Sequence, residues 1–226
     1  GSHTTACISS QAGCPLACSF CATGASGFRR DLSAGEMVGQ LLAMEKRAGQ
    51  NISNVVFMGM GEPFLNTRAV FRSITIMNSP KMRNMGARHI TISTSGVVPG
   101  ILDLAEFPIP VRLSVSLHAP NEALRSKLMP VNKKYSLGSL VDAMRKYQQK
   151  TGERITLEYI MIQKVNDEPE LAYEMAALLS GIGVYVNLIP YNPVKDTYKR
   201  STPERIRAFS AILSQLGIEN EIRKEK

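Results

Sequence analysis

The sequence has no tryptophan, only three histidines and only 6% aromatic residues among its 226 residues. No apolar run approaches the ~20 residues that a membrane-spanning helix needs, and no apolar signal-peptide core is present. Apolar residues make up 44% of the chain and charged residues 20%, which excludes disordered, collagen-like and disulfide-dense proteins. We therefore expect one cytoplasmic domain with a sizeable buried core and no membrane contact.

Cysteine is scarce and confined to one region. The four thiols, Cys7, Cys14, Cys18 and Cys21, all precede residue 22. Because a reducing cytoplasm keeps thiols free, such a group indicates a metal site or catalysis instead of disulfides. Cys14, Cys18 and Cys21 have the spacing C-x3-C-x2-C. Three thiolates on one short loop suit three corners of a cubane iron–sulfur cluster, whose fourth iron then stays open to chelate a small molecule.

Two other interpretations of the cysteines stay open at this point. A structural zinc site would need Cys7 as the fourth ligand, since closed zinc sites take four. Zinc sites usually combine two C-x2-C pairs across a longer loop, whereas the intervening residues here number six, three and two. Four unrelated buried thiols would not need to fall within fifteen consecutive residues. The spacing favours the iron–sulfur cluster.

Short β-branched runs alternate with amphipathic helical patterns along the chain. The predicted strands are residues 55–58, 89–93, 111–117, 154–160 and 184–189. Ser33 and Glu36 form a capping box before an apolar stripe of Met37, Val38, Leu41 and Leu42, and Leu137, Leu140, Val141 and Met144 follow helical spacing. Thr202 and Pro203 begin a helix that presents Ile206, Phe209 and Leu213. About six βα units predict parallel strands in a barrel, closed or partly open, or in a doubly wound sheet.

Glycine and polar residues follow four of these strands. They lie at residues 59–63, 93–96, 116–120 and 190–193. In both architectures ligands collect at the carboxyl ends of the strands. We therefore expect these four segments to converge on one concave site.

Several motifs resemble one family. The cysteine motif with Phe20 before its last cysteine, in a βα barrel with a Gly-Glu turn after the next strand, is similar to the radical S-adenosylmethionine (SAM) superfamily. More narrowly, the chain resembles the adenine C2 methyltransferases of large-subunit ribosomal RNA and tRNA. The motifs that carry this resemblance are residues 7–14, 58–63, 93–96, 116–120, 130–135 and 165–167. The similarity extends from Ala6 to Lys224. Pro63 favours the C2 enzymes over a sister family that methylates C8 of the same adenine.

The resemblance implies a fold and a set of site residues. The fold is a partial (βα)6 radical SAM barrel with a cluster-binding loop after the first strand. Cys14, Cys18 and Cys21 would bind a [4Fe-4S] cluster. Gly61 and Glu62 would bind the SAM amino group, because a carboxylate pairs with an ammonium. The rest of SAM would contact Ser93, Ser116, Leu117, His118 and Asn192. Ordinary structural roles for Glu62, His118 and Asn192 are the alternatives.

The family mechanism implied by the resemblance uses two SAM molecules. One donates a methyl group to a cysteine, and the other yields a 5′-deoxyadenosyl radical that abstracts hydrogen from that methyl group, so that carbon adds to adenine C2. Cys7 would be the second catalytic cysteine, which resolves the covalent RNA adduct by forming a disulfide. A reductase would supply electrons to the cluster.

Two features of the ends bear on activity. Gly1-Ser2-His3 indicates the remnant of a cleaved affinity tag, which leaves residues 4–226 as the catalytic core domain. The family carries its methyl group on a cysteine in a C-terminal segment, and no cysteine follows Cys21. We therefore expect this polypeptide to bind the cluster and SAM without completing methyl transfer.

The formal net charge of +8 favours an RNA partner, because neutralised phosphates release counterions. Arg29-Arg30, Lys133-Lys134 and residues 194–207 are candidate phosphate contacts, with solvated surface as the alternative. The resemblance makes the partner 23S ribosomal RNA, with tRNA as a further candidate, and we expect a monomer. Since no stacked aromatic platform is evident, we expect the adenine to be flipped into the barrel mouth. Another radical SAM reaction, on a small molecule or peptide, and a zinc-stabilised RNA-binding domain are the other functional hypotheses.

Overall fold

A computed structural model describes residues 4–194 and 197–223, so the predicted tag remnant lies outside the described residues. The strands are β1 (Thr5–Cys7), β2 (Gln11–Gly13), β3 (Phe28–Asp31), β4 (Asn54–Phe57), β5 (Ile90–Thr94), β6 (Arg112–Ser116), β7 (Ile155–Met161), β8 (Val184–Pro190) and β9 (Asn220–Ile222). The helices are α1 (Ala22–Ala25), α2 (Ala34–Ala48), α3 (Thr67–Asn78), α4 (Val98–Ala105), α5 (Glu122–Leu128), α6 (Leu137–Thr151), α7 (Pro169–Leu178) and α8 (Pro203–Gln215). Short 3-10 turns occupy Pro63–Leu65, Ala87–His89 and Pro130–Lys133.

Seven of these strands form one parallel sheet in the order β1-β4-β5-β6-β7-β8-β9. The order follows the chain without reversing, whereas a doubly wound sheet changes direction at its centre. The sheet is therefore the predicted partial barrel, with β1 and β9 at its two ends and one strand more than six βα units would give. The remaining two strands, β2 and β3, form a separate antiparallel hairpin.

The sheet has an outer face against the helices and a concave face that is more open. In β5, Ile90 and Ile92 are fully buried, while the alternate residues Thr91 and Ser93 are only partly covered. The same alternation runs through β8, where Tyr185, Asn187 and Ile189 are partly covered between buried residues or beside them. Because successive side chains of a strand point to opposite faces, one set packs on the helices and the other faces the hollow of the barrel.

The predicted helix signals are confirmed at three positions. Ser33 and Glu36 form a capping box at the start of α2, and Thr202 caps α8 just before Pro203. The buried face of α6 includes Leu137, Leu140, Val141 and Met144. The predicted stripe on α2 was too wide, because Met37 and Leu41 are buried whereas Leu42 is 53% exposed. Leu42 lies about 100° around the helix from Leu41, which turns it away from the sheet. No helix among the described residues is long and apolar enough to cross a membrane.

Candidate active site

The thiol loop, residues 14–21, connects β2 to α1 and is held at two points. The amide of Cys14 donates to the carbonyl of Gly27 at 3.0 Å, and that of Ser19 donates to the carbonyl of Leu128 in α5 at 3.0 Å. Gly13 has φ +82°, and a Cβ there would lie 1.9 Å from the Gly27 oxygen. The hairpin therefore closes tightly only with glycine at this position.

Cys14, Cys18 and Cys21 line one cavity of about 280 Å³ at the carboxyl ends of the central strands. Burial, together with the negative charges that Cys21 and Cys14 would carry, raises the pKa of the Cys18 thiol to about 12. Burial also raises the pKa of Cys14. Such thiols stay protonated until a positive centre binds them, and a metal centre supplies that charge. The three thiols therefore fit a metal cluster in this cavity.

The arrangement of the thiols does not fit a closed zinc site. Within residues 4–194 and 197–223, no three His, Cys, Asp or Glu side chains gather closely enough to hold one metal ion. Cys7, which the zinc alternative needs, lines a different cavity. In a cubane cluster each thiolate binds a different iron atom, so the sulfurs stand farther apart than they do around one zinc ion.

Glu62 shares the cavity with the thiols, and its carboxylate is only 1% exposed. One oxygen, Oε1, accepts from the amide of Phe64 at 3.1 Å and from the hydroxyl of Thr94 at 2.8 Å. The other, Oε2, accepts from the amide of Ser95 at 2.7 Å. Burial raises the pKa of Glu62, and these hydrogen bonds act against that rise. A buried, oriented carboxylate of this kind suits an ammonium ligand and is not an ordinary surface acid.

The two glycines before Glu62 bring its loop against the chain that follows β1. A Cβ on Gly59 would lie 2.8 Å from the Ile8 carbonyl oxygen, and one on Gly61 would lie 2.6 Å from Cβ of Gln11. Gly61 also has φ +101°. Gln11 accepts from the Glu62 amide at 2.9 Å. The glycines therefore position Glu62 by close packing.

Three of the four predicted strand ends meet at this cavity. Gly61 and Glu62 come from the end of β4, Ser93 from β5, and Ser116 and His118 from β6. Of the fourth segment, residues 190–193, Pro190 and Asn192 line the neighbouring cavity, and only Ile189, the β8 residue just before the segment, lines this one. The expected convergence on one concave site is therefore confirmed for three strands and is partial for the fourth.

His118 is a buried, neutral imidazole at the end of β6. Its Nδ1 accepts from the amide of Ile160 at 3.1 Å, which leaves the ring proton on Nε2. Burial, with the positive charge of Arg125 adding to it, lowers the pKa of His118 to about 3. The residue has φ +57°, and its carbonyl accepts from Asn166 at 2.8 Å. Phe20 of the thiol loop meets the ring edge-on at 4.8 Å.

Leu117 and Asn192 lie outside the cavity that holds the thiols. The Leu117 side chain is fully buried, and its carbonyl accepts from Arg125 at 3.2 Å. Asn192 accepts from Arg200 at 2.6 Å and lines a second cavity of about 880 Å³ together with Cys7. The two cavities share Met58, Glu158, Ile189 and Arg223 as lining residues.

Some residues of the site were not predicted. Thr94, Ser95 and Gln11 stood inside motifs that the sequence analysis quoted, and their hydrogen bonds to Glu62 show why they accompany it. Arg125 was missed, because an arginine in a helical pattern is normally solvated. The sequence gives only a weak indication of its role. Arg125 lies between the motif at residues 116–120 and the motif at residues 130–135, and it contacts both.

Intramolecular partners occupy several of the predicted phosphate contacts. Arg30 forms a two-point ion pair with Glu36, and Arg205 pairs with Asp167 and Glu168. Arg207 pairs with Glu204 at 3.0 Å. Lys195, in the same basic stretch, lies outside the described residues.

Known proteins show close similarity to this chain. Residues 8–176 match the family model of the Radical SAM superfamily. A relative from Thermotoga neapolitana, named probable dual-specificity RNA methyltransferase RlmN, is 51% identical over 98% of this chain and 65% of its own length. A crystal structure of a radical SAM methyltransferase from Sphaerobacter thermophilus has 49% identity and a TM-score of 0.96, covering 98% of this chain and 66% of that one.

A more distant structure shares the fold alone. Streptococcus suis SuiB bound to S-adenosylmethionine has 14% identity and a TM-score of 0.69, covering 98% of this chain and 51% of that one. The chain spans 65% of the length of the first curated relatives that it matches. The superfamily that its family model describes uses a [4Fe-4S] cluster and SAM. With three quarters of its residues inside that model, the chain belongs to the radical SAM superfamily.

Proposed function

We propose that this chain is the catalytic core of a radical SAM RNA methyltransferase that acts on C2 of an adenine in large-subunit ribosomal RNA, with tRNA as a second substrate. Relatives at about half identity are named as RNA methyltransferases, which supports this assignment. Adenine C2 as the target rests on the motif resemblance, including Pro63 after the Gly-Glu pair.

One observation carries the proposal: three thiols and a buried, hydrogen-bonded carboxylate line the same cavity. Cys14, Cys18 and Cys21 would hold the cluster, and Glu62 would receive the amino group of SAM by a charge-assisted hydrogen bond. When bound, the reduced cluster and SAM supply one-electron radical chemistry. The protein then holds the ligand through Glu62, offers Ser93, Ser116 and the Nε2 proton of His118 as polar contacts, and restricts water.

Cys7 would act from the second cavity as the family's second catalytic cysteine. Burial raises the pKa of its thiol, while a backbone hydrogen bond at Met58 and the positive charge of Arg223 lower it. The thiol is exposed and unpaired, as a group that reacts with a large substrate must be. The wall shared by the two cavities would place this thiol near the cleavage site without making it a ligand of the cluster.

Anaerobic reconstitution with iron and sulfide tests the cluster. We expect a brown protein that absorbs at roughly 400 nm and cleaves SAM to 5′-deoxyadenosine under reduction. Cys18→Ala should lose both properties, because a ligand is removed. Cys7→Ala is the matched control and should keep iron content and cleavage. A colourless protein that holds one zinc ion, or loss of metal in Cys7→Ala, would contradict the proposal.

The position of methylation needs a product analysis. Because no cysteine follows Cys21, the test uses a version of the protein extended by the C-terminal cysteine segment that the resemblance implies, and the chain without that segment should give no methylated product. RNA incubated with the reconstituted extended protein and SAM is digested to nucleosides, which are separated and identified by mass and by co-elution with 2-methyladenosine and 8-methyladenosine standards. The proposal predicts 2-methyladenosine. A product that co-elutes with 8-methyladenosine would assign the chain to the sister activity instead.

A further inference from the structure

Arg125 is a fully buried arginine in α5. Its Nε donates to the carbonyl of Leu117 at 3.2 Å, and its Nη2 donates to the carbonyls of Ser95 at 2.7 Å and Ser116 at 3.2 Å. Its Nη1 donates to the Asn132 side chain at 2.7 Å. The guanidinium therefore binds the ends of β5 and β6 and the 3-10 turn Pro130–Lys133 at once.

The surroundings of Arg125 are built to admit its guanidinium. Gly96 lies beside it with φ +106°, and a Cβ at that position would come within 2.9 Å of Nη2. Burial lowers the pKa of Arg125 to about 10, so the group remains a cation at neutral pH. All four hydrogen-bond partners named above are neutral groups. The carboxylate of Glu122 lies one hydrogen bond further away, where it accepts from the Asn132 amide at 2.5 Å, and its negative charge acts against the lowering of the Arg125 pKa by burial.

The helix that carries this cation, α5, contacts the thiol loop. Three residues beyond Arg125, the carbonyl of Leu128 accepts from the amide of Ser19 at 3.0 Å and from its hydroxyl at 3.3 Å. Ser19 directly follows Cys18. The charge of Arg125 also favours the thiolate form of Cys18, against the larger effect of burial, which disfavours it.

We propose that Arg125 is a positioning residue that also sets the reduction potential of the cluster, by fixing a buried positive charge beside its Cys18 ligand. The proposal rests on the cluster assignment made above. Adding an electron makes the cluster and its three thiolates more negative, and a nearby cation in a region of low dielectric stabilises that state. Ser95 connects this cation to the carboxylate of the site, because its carbonyl accepts from Arg125 and its amide donates to Glu62.

The test measures the midpoint potential of the reconstituted protein by anaerobic redox titration, followed by electron paramagnetic resonance without SAM or RNA. Arg125→Gln removes the charge, and we expect the equilibrium constant for cluster reduction to fall at least about tenfold, a shift of about 59 mV to lower potential. Arg125→Lys keeps the charge while losing hydrogen bonds, and its potential should stay close to that of the parent protein.

Glu122→Gln should shift the midpoint potential in the opposite direction to Arg125→Gln. It removes a negative charge that lies behind Asn132, so reduction should become easier and the potential should rise. The rise should be smaller than the fall in Arg125→Gln, because Glu122 is exposed and screened by solvent. A general loss of structure around the cluster would not shift the midpoint potentials of Arg125→Gln and Glu122→Gln in opposite directions.

Separate outcomes identify which idea fails. Absence of a cluster in the parent protein contradicts the proposed function. A loaded cluster whose potential is unchanged in Arg125→Gln, or shifts equally in Arg125→Lys, overturns the role of Arg125 alone. If Arg125→Gln does not fold, the midpoint potential of Glu122→Gln becomes the test. An unchanged or lower potential in that variant overturns the proposed role of Arg125.

Discussion

The Glu62 carboxylate already accepts three hydrogen bonds from the protein, so its position is fixed before a ligand arrives. We expect Glu62→Gln to weaken SAM binding about 10- to 150-fold, the equivalent of a charged hydrogen bond of about 1.5–3 kcal/mol. The amide keeps the shape of the side chain and loses the charge. Equilibrium dialysis of SAM against the reconstituted protein measures the effect.

Glu36→Gln is the control for this prediction. It makes the same chemical change at an exposed capping box, where the partners are Arg30 and Ser33. SAM affinity should be unaltered in that variant. Equal affinity of the Glu62→Gln and parent proteins would mean that the carboxylate does not bind the amino group.

His118 makes folding stability depend on pH. Its folded pKa of about 3 lies below the ordinary value of 6.5, so between these pH values the unfolded state binds a proton that the folded state refuses. The free energy of unfolding therefore falls as the pH falls through this window, by about 2 kcal/mol between pH 7 and pH 5. Urea titrations of the protein at several pH values measure the change.

His118→Asn isolates this contribution. Asparagine tolerates the left-handed backbone that His118 adopts and has an oxygen that could accept from Ile160. The variant should lose less stability than the parent protein between pH 7 and pH 5. Parallel stability curves for the two proteins would show that His118 is not the group that titrates.

At the scale of single residues, the sequence indicated which side chains belong to the site but not how buried they are. Glu62 and His118 were both selected from motifs, but burial, which determines the charge state of each, depends on strands far away in the chain. His118 owes its tautomer to Ile160, 42 residues later. Arg125 could not be predicted, because its four partners come from three separate segments.

At the scale of elements, the loop after β4 packs closely at Gly61 against Gln11, the first residue of β2. We expect Gly61→Ala to lower the free energy of unfolding by about 1–3 kcal/mol more than Gly49→Ala. Both glycines have positive φ, but a Cβ on Gly49 meets nothing within 4 Å, whereas one on Gly61 meets Gln11 at 2.6 Å. Urea denaturation measures both variants.

The pair of variants separates backbone strain from the clash. Gly49→Ala should cost only the left-handed conformation, about 1–2 kcal/mol, and should leave SAM binding intact. Gly61→Ala should also weaken SAM binding, because moving Gln11 releases the amide of Glu62. If the two variants lost the same free energy of unfolding, the close contact between Gly61 and Gln11 would not contribute to the cost.

Strands were predicted correctly where the β-branched, apolar runs were long, and they were missed where the strands were only three or four residues long. Residues 184–189 carried a pattern that matches β8, and four other central strands were also located to within one or two residues. β2 and β3, of three and four residues, are too short for a periodic signal. They form because the Cys14 amide and the Gly27 carbonyl meet across the hairpin, a pairing that the sequence does not display.

At the scale of the whole molecule, the partial barrel places two kinds of chemistry side by side. The sequential order of seven parallel strands brings three strand ends to the cavity that holds the thiols, and the first strand brings Cys7 to the second cavity. The sequence alone allowed a doubly wound sheet, because periodicity within strands does not determine the order of strands. That order is set by the register of neighbours such as β7 and β8, which pair over seven residues.

The positively charged side chains of the molecule are not equally available to the RNA partner proposed above. Arg29 lies exposed on β3, beside the thiol loop, whereas Arg205 is held by Asp167 and Glu168. We expect Arg29→Gln to reduce the slope of log binding constant against log salt by about 0.7–0.9, the contribution of one phosphate contact. Fluorescence anisotropy with a labelled RNA hairpin, repeated from low to high salt, measures this slope.

Arg205→Gln is the matched control for Arg29→Gln. The two substitutions remove the same charge, so the net charge of the protein changes equally in both. Because Arg205 is occupied by two carboxylates, its loss should lower the free energy of unfolding while the salt slope stays at the parent value. If both variants reduce the slope equally, RNA responds to net charge alone, and β3 is not part of the contact surface.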